Sequence, residues 1–221
     1  MGVGYFSVSF GFGAMAAAQG VKALDAALIS LTNLTSAGQF AGLTLIVAAA
    51  SLWELILTQI VINSRYALMS LALSQRMGEQ IGFLPRLAIA FINTDEIFAL
   101  AMAYERPLNF PFMMGLGLTP IIGWVGGTLM GALAGSVLPV AIRTALGVML
   151  YGMFIAIVIP PAKAEKPLLA AVILALVFSC LFAWVPLLQN VSAGIAIVIC
   201  TVAAAAICAA LFPIADEEVA R

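Results

Sequence analysis

Three charged side chains interrupt long apolar runs, and they are the residues best suited to do chemistry. Arg65 closes the stretch Thr58-Gln59-Ile60-Val61-Ile62-Asn63-Ser64-Arg65, and two acids sit inside Ile92-Asn93-Thr94-Asp95-Glu96-Ile97-Phe98. A guanidinium can hold a carboxylate, and a carboxyl can hold an ammonium or exchange a proton. A neutral amide, Gln39, follows the small-residue stretch Thr35-Ser36-Ala37-Gly38 and precedes Phe40. Arg65 lies fifteen positions before, and Asp95 fifteen after, a connection centred near residue 80. Antiparallel helices joined there bring the two level, at ~22 Å of helix rise from the turn. Adjacent helical positions point about 100° apart, so Arg65 can neutralise only one of the two acids. A carboxyl left alone in low dielectric favours its protonated form. The plainer reading is an ion pair that fixes the register of two helices, with Asn63 and Thr94 as polar glue. The surplus acid favours a functional reading, with all three charges facing the bundle interior.

Other chemistries lack their residues. The chain has no histidine, which restricts a proton relay to Asp95, Glu96, Glu54 or water. Cys180, Cys200 and Cys208 sit in apolar runs without metal-ligand spacing and read as small core or lipid-facing residues. No metal or cofactor is expected. There is no Gly-x-Ser-x-Gly elbow and no paired Gly-x-Gly-Asp, so no enzyme is expected. A net charge of −1 without a run of Lys or Arg argues against nucleic acid.

The elements that must carry these residues are membrane helices. Of 221 residues, 64% are apolar and 9% are charged, and the mean hydropathy is +1.18. Soluble domains carry roughly 25% charged residues to wet their surfaces. A span needs about 20 apolar residues, and lipid forces the backbone into helices. The expected fold is an all-α, polytopic bundle of seven or eight membrane segments, forming one membrane domain over 1–221. The segments fall at about 3–19, 24–50, 52–76, 83–104, 109–138, 141–160, 168–186 and 191–213. The second is expected to be interrupted at Ser36–Gln39. Glu54, beside Trp53, reads as interfacial. Asp216 to Arg221 form a polar tail. No basic region precedes the first apolar run, so insertion is expected to use the early spans. With eight spans, Lys22, Arg76, Arg86 and Arg143 fall on one side, and Arg106, Lys163, Lys166 and Arg221 on the other. That balance sets no orientation.

Gly123, Gly127, Gly131 and Gly135 recur every four residues on one face of the fifth segment, after Thr119. Each Gly costs a helix about 1 kcal/mol against Ala, so the ladder points to close helix packing, within the chain or across a homo-oligomer contact. A sliding surface is the weaker reading.

The ordered set of these features resembles the AzlC family, the large subunits of bacterial branched-chain amino-acid exporters. Gly4-Tyr5 with Gly11 and Gly13 is similar to the family's glycine-rich opening. Gln39-Phe40, Asn63-Ser64-Arg65 followed by Leu68-Met69 and Leu73, and Thr94-Asp95-Glu96 are similar to its later motifs. Trp124, Gly127, Thr128, Gly131, Gly135 and Pro139 fit its fifth segment. The likeness runs from about residue 4 to about 160. Ser7 and Ser9 depart from it, as does Gly147-Val148 before Phe154, where members often carry Asp-Phe. The resemblance implies a bacterial cytoplasmic-membrane exporter of branched-chain or related apolar amino acids. It implies a small AzlD-type membrane subunit as partner and a proton gradient as driving force. On that reading Gln39, Phe40, Asn63, Arg65 and Thr94 bind substrate, with Leu43 and Met69 as further walls, and Asp95 or Glu96 couples the proton. An uncoupled channel or facilitator for a small zwitterion is the alternative.

Overall fold

The computed structural model describes residues 1–78, 81–135, 139, 141, 152, 155 and 158–213. Glu79, most of the expected sixth segment (with Arg143, Gly147, Val148 and Phe154) and the tail from Asp216 to Arg221 lie outside the described residues. The elements are α1 (Gly2–Ala18), α2 (Ala23–Thr32), α3 (Ser36–Val47), α4 (Leu52–Gln75), α5 (Phe83–Ile92), α6 (Asp95–Ala103), α7 (Phe110–Gly135), α8 (Lys166–Trp184) and α9 (Ala193–Leu211). Among the described residues no sheet forms, and Met77 and Leu108 make an isolated bridge. Among the described residues four helices, α4, α7, α8 and α9, are long and apolar enough to cross a membrane. The chain forms two compact units. One comprises Met1–Leu43 and Asn63–Leu150, the other Thr44–Ile62 and Tyr151–Arg221.

The first unit is built on α7, and the glycine ladder is where α1 lies against it. A Cβ placed on Gly123 would strike the Gly2 carbonyl, on Gly127 the Phe6 carbonyl, and on Gly131 the Phe10 carbonyl. On Gly135 it would sit 3.1 Å from Ala14 Cα. Each step of four along α7 therefore meets a step of four along α1, so the two helices run parallel. Gly13 of α1 returns the contact against the Thr128 carbonyl. Only glycine lets backbones approach this closely without a side chain between them.

Past α1 the chain reverses at Gly20, whose φ of +83° suits a residue without Cβ. α2 then descends antiparallel to α7, where Ser30 Oγ lies 2.6 Å from Thr128 Oγ1. It stops at Thr32. Asn33 is its C-cap, and the Thr35 hydroxyl donates to Asn33 Oδ1 at 2.5 Å. The interruption thus falls at Asn33–Thr35, just before the stretch expected to carry it, and Ser36–Gln39 make the first turn of α3. Asn and Thr side chains offer the backbone local alternatives to helical bonds, which the Ser-Ala-Gly-Gln stretch does not need at a helix start. α3 heads back the way α2 came: Phe40 meets Phe12 edge-on, with ring centroids 5.1 Å apart. Phe12 lies on α1 between residues facing Gly131 and Gly135. A helix continuing onward would carry Phe40 about 20 Å away, at ~1.5 Å per residue. α2 and α3 form a re-entrant hairpin.

The fourth expected segment, read as continuous, is also a hairpin. It breaks at Asn93–Thr94, between α5 and α6. Thr94 caps α6 by accepting from the Ile97 N–H, and Asp95 and Glu96 fill the first turn, where the helix dipole favours acids. Both open ends of this hairpin lie at the end of α4. Arg76 donates to the carbonyls of Met102 at 2.5 Å and Tyr104 at 2.8 Å. Arg86 donates to Ser74 O at 3.0 Å and Gly78 O at 3.0 Å. Tyr104 stacks on Phe112 with centroids 4.2 Å apart. Ten residues of α5 rise ~15 Å, about half the hydrocarbon core.

The two hairpins enter from opposite ends of α7. Ile92 caps Gly117, seven residues after α7 begins (110 to 117), and Ser30 reaches Thr128, seven before it ends (128 to 135). Their tips meet near the middle of α7, where Pro120 removes a helical hydrogen bond. The hairpin also regroups the charges: Arg106 joins Arg76 and Arg86 on one side, with Lys22 at the other end of α7. The eight-span count had set Arg106 against Arg76 and Arg86, because it took 83–104 for a full crossing.

In the second unit α8 and α9 pack antiparallel. Ser179, Phe182 and Ala183 near the end of one line a cleft with Val191, Ala196 and Cys200 near the start of the other. The first turns of α4 also belong here. Glu54 Oε1 accepts the Gly194 N–H at 2.7 Å, a carboxylate on a helix N-terminus rather than a purely interfacial group.

Gly127→Leu should destabilise the protein by about 1–3 kcal/mol or more, because the groove has no room for the side chain. Gly126→Leu, where a Cβ meets nothing within 4 Å, should be near neutral. Thermal aggregation of the two variants in detergent compares them, and equal midpoints would count against the α1–α7 contact. In a background lacking Cys180, Cys200 and Cys208, Gly78→Cys and Glu105→Cys should react with an impermeant maleimide from the same membrane face. Labelling from opposite faces would make 83–104 a full crossing.

Candidate functional site

The two tips and the middle of α7 enclose a slit of about 160 Å³, nowhere wide enough for a water molecule. Leu34 lines it from the first tip and Ile92, Thr94 and Ile97 from the second. Tyr5 comes from α1, and Pro120, Ile121 and Trp124 from α7.

The three charges divide between two partners. Arg65 Nη1 donates to Asp95 Oδ1 at 2.8 Å, and Nη2 donates to the Tyr66 hydroxyl at 3.1 Å. The guanidinium carbon also lies 4.8 Å from the Tyr66 ring centroid. Arg65 and Asp95 are level because α5 runs back along α4 as far as the tip. Glu96 turns away from this pair and accepts a hydrogen bond from the Tyr5 hydroxyl. The same hydroxyl lies 2.5 Å from Thr94 Oγ1. The Arg65 and Asp95 side chains are 47% and 45% exposed. The chain alone therefore leaves half of this ion pair uncovered, where an interior location was expected. Neighbouring α4 residues Leu68 and Leu71 are exposed too, so among the described residues no other element covers that face.

The first tip is tied into the same network. Trp124 Nε1 donates to Gln39 Oε1 at 3.1 Å, and the Trp124 ring stands edge-on to Tyr5 with centroids 5.7 Å apart. Gln39, Trp124, Tyr5 and Glu96 thus form one continuous chain of contacts from tip to tip. Helix α4 touches both tips. The Asn63 side chain lies over Gly38, 2.8 Å from where a Cβ would be. Asn93 Nδ2 donates to Ser70 Oγ at 3.1 Å. Gln39 and Thr94 are buried at the tips. Phe40 and Leu43 are buried away from the slit, and Met69 is half-buried on α4. The glycine ladder supports the site by fixing α1, and with it Tyr5, against α7. Glu54 belongs to the other unit. Among the described residues no group of His, Cys, Asp and Glu could hold a metal ion.

The residue reading did not single out Tyr5, Leu34, Asn93 or Trp124 as site residues. A signal existed: Asn33-Leu34-Thr35 and Asn93-Thr94 place the same helix-breaking pair within two apolar runs.

Paired broken hairpins in an apolar helical scaffold define a multi-pass membrane protein with a polar centre. The chain belongs to the AzlC protein family, whose profile matches residues 1–138, the stretch that ends just after α7. It is 33% identical over 163 residues to an uncharacterized membrane protein of Archaeoglobus fulgidus, covering 73% of this chain and 71% of that one. It is 30% identical over 174 residues to the inner membrane protein YgaZ of Escherichia coli K12, covering 75% and 71%. With an uncharacterized membrane protein of Helicobacter pylori J99 it shares 34% over 137 residues, 61% and 59% of the two chains. No solved structure matches.

Arg65→Ala should lower stability by roughly 1–3 kcal/mol, less than for a fully buried pair because both groups are half exposed. Adding Asp95→Asn should recover part of the loss by removing the stranded charge. Yield of monodisperse protein measures both. No recovery in the double variant would mean that Arg65 acts through something other than Asp95.

Proposed function

We propose that this chain is the large subunit of a secondary transporter that exports branched-chain or related apolar amino acids across the bacterial cytoplasmic membrane. On this reading proton influx drives export and a small AzlD-type membrane subunit completes the assembly. The observation that carries it is the meeting of two half-helix tips near the middle of α7, beside Asp95 and Glu96. Broken helices expose backbone dipoles at their ends, and such ends bind charged groups of substrates inside membranes. The apolar lining of Leu34, Ile92, Ile97 and Ile121 suits an aliphatic side chain.

The acids take different parts in this proposal. Asp95 is held by Arg65 and fixes the second hairpin to α4, whereas Glu96, which accepts from the Tyr5 hydroxyl, exchanges the proton. The half-exposed Arg65–Asp95 pair is too costly to leave in lipid, and the partner subunit is its natural cover. Arg76, Arg86 and Arg106 against Lys22 favour a cytoplasmic location for that end of the first unit.

The test is counterflow and efflux of labelled leucine, valine and methionine in proteoliposomes holding both subunits. An inward proton gradient should accelerate efflux. Glu96→Gln should keep exchange and lose the response to the gradient, and Asp95→Asn should lower the amount of folded protein. Full gradient-driven efflux from the Asp95→Asn, Glu96→Gln double variant would remove both acids from the coupling. Exchange without any gradient response in the unmodified protein would make it an uncoupled facilitator.

A further inference from the structure

Two buried side chains at the tips each carry one polar atom with no partner, and the two atoms are opposite in kind. Gln39 is fully buried, and its Nε2 has no hydrogen-bond partner. Its orientation is set chemically: an indole N–H can only donate, so the atom facing Trp124 Nε1 must be the amide oxygen. That leaves two N–H donors unused at the first tip. Asn93 is 3% exposed, and its Oδ1 has no partner, which leaves an acceptor unused at the second. An unmet polar group in a low-dielectric site is costly, so two of them call for a ligand or a reason.

The half-helices sharpen the pattern. α3 begins at the first tip with no acid in its first turn, so the positive end of its dipole is uncompensated there. α6 begins at the second tip with Asp95 and Glu96 in its first turn, which repels an anion. α5 ends at Asn93, and a helix C-terminus offers carbonyl oxygens. Arg65, the obvious anchor for a carboxylate, is already engaged with Asp95 and Tyr66.

We propose that the amino-acid zwitterion is read in two halves, its carboxylate by the Gln39 amide and the α3 N-terminus, its ammonium by the Asn93 side-chain oxygen and the α5 C-terminus. This rests on the amino-acid reading above and assigns its poles. Neither side chain lines the closed slit itself, but their neighbours do: Leu34 of the first tip, Trp124 bonded to Gln39, and Ile92 and Thr94 on either side of Asn93. The slit is closed here, so occupation requires the tips to part.

Substrate fragments separate the two poles. Leucinol keeps the ammonium and lacks the carboxylate, and isocaproate keeps the carboxylate and lacks the ammonium. Binding is read from Trp124 fluorescence in a Trp53→Phe, Trp184→Phe background, since both replaced residues are exposed, at 75% and 77%. Leucine counterflow is measured alongside, with both subunits present. Gln39→Glu keeps an acceptor for the Trp124 N–H while replacing the donors with a negative charge. It should weaken leucine and isocaproate by about tenfold or more, the ~1.4 kcal/mol of one charged hydrogen bond, and leave leucinol unchanged or tighter. Asn93→Ala should weaken leucine and leucinol and spare isocaproate. Gln39→Leu serves as a second variant, with the same selectivity expected on a smaller scale. Equal weakening of all three ligands in both series would make Gln39 and Asn93 structural and overturn the assignment while leaving the transport reading intact. Leucine counterflow absent from the unmodified assembly, with no binding of any of the three ligands, would overturn the transport reading and this assignment with it.

Discussion

A broken helix cannot lie in lipid. Every backbone N–H and C=O released at a break must find a partner, and hydrocarbon supplies none. The first unit meets this constraint twice, at Asn33–Thr35 and at Asn93–Thr94, and much of its architecture follows from having to bury those tips. Side chains do part of the work: the Thr94 hydroxyl accepts the Ile97 N–H at the start of α6. Helices do the rest, with α1 and α7 on one side and the polar face of α4, through Asn63 and Ser70, on the other. The glycine ladder belongs to the same solution. By letting α1 lie directly on α7, it brings Tyr5 and Trp124 close enough to close the space between the tips.

The arrangement has a near-symmetry. Two hairpins of similar length enter from opposite ends of α7 and stop at about the same depth. Each tip places one helix end with positive polarity and one with negative polarity near the middle of α7. The tips differ in charge, because only the second carries acids in its outgoing helix. The slit between them is too narrow for a water molecule.

Not every part of the molecule answers to the tips. Arg76 and Arg86 tie the loops at one end through backbone carbonyls, which fixes the mouth of the second hairpin rather than its chemistry. The family likeness reaches residue 138 and so covers the hairpins and α7 but not α8 and α9. Those two helices form their own antiparallel pair and meet the first turns of α4 through Glu54 and Gly194.

Local sequence determined what local geometry controls. Apolar composition dictated membrane helices, spacing of four placed the glycines on one face, and a fixed rise per residue put Arg65 and Asp95 at one depth. Tyr5 and Trp124 gave no such sign, since an aromatic in an apolar run looks like any core residue until its neighbours are known. The direction of the chain beyond a break was likewise left open. A half-helix that continues and one that returns have the same composition and the same hydrophobic pattern, so 83–104 reads equally well as a span or a hairpin. Contacts far apart in sequence decided it: Arg76 on the Met102 and Tyr104 carbonyls, and Phe40 on Phe12. The same holds for the two acids. Adjacency guaranteed that Asp95 and Glu96 would face different ways, and only the packing of α1 and α4 around the second tip settled that Arg65 would hold the first and Tyr5 the second.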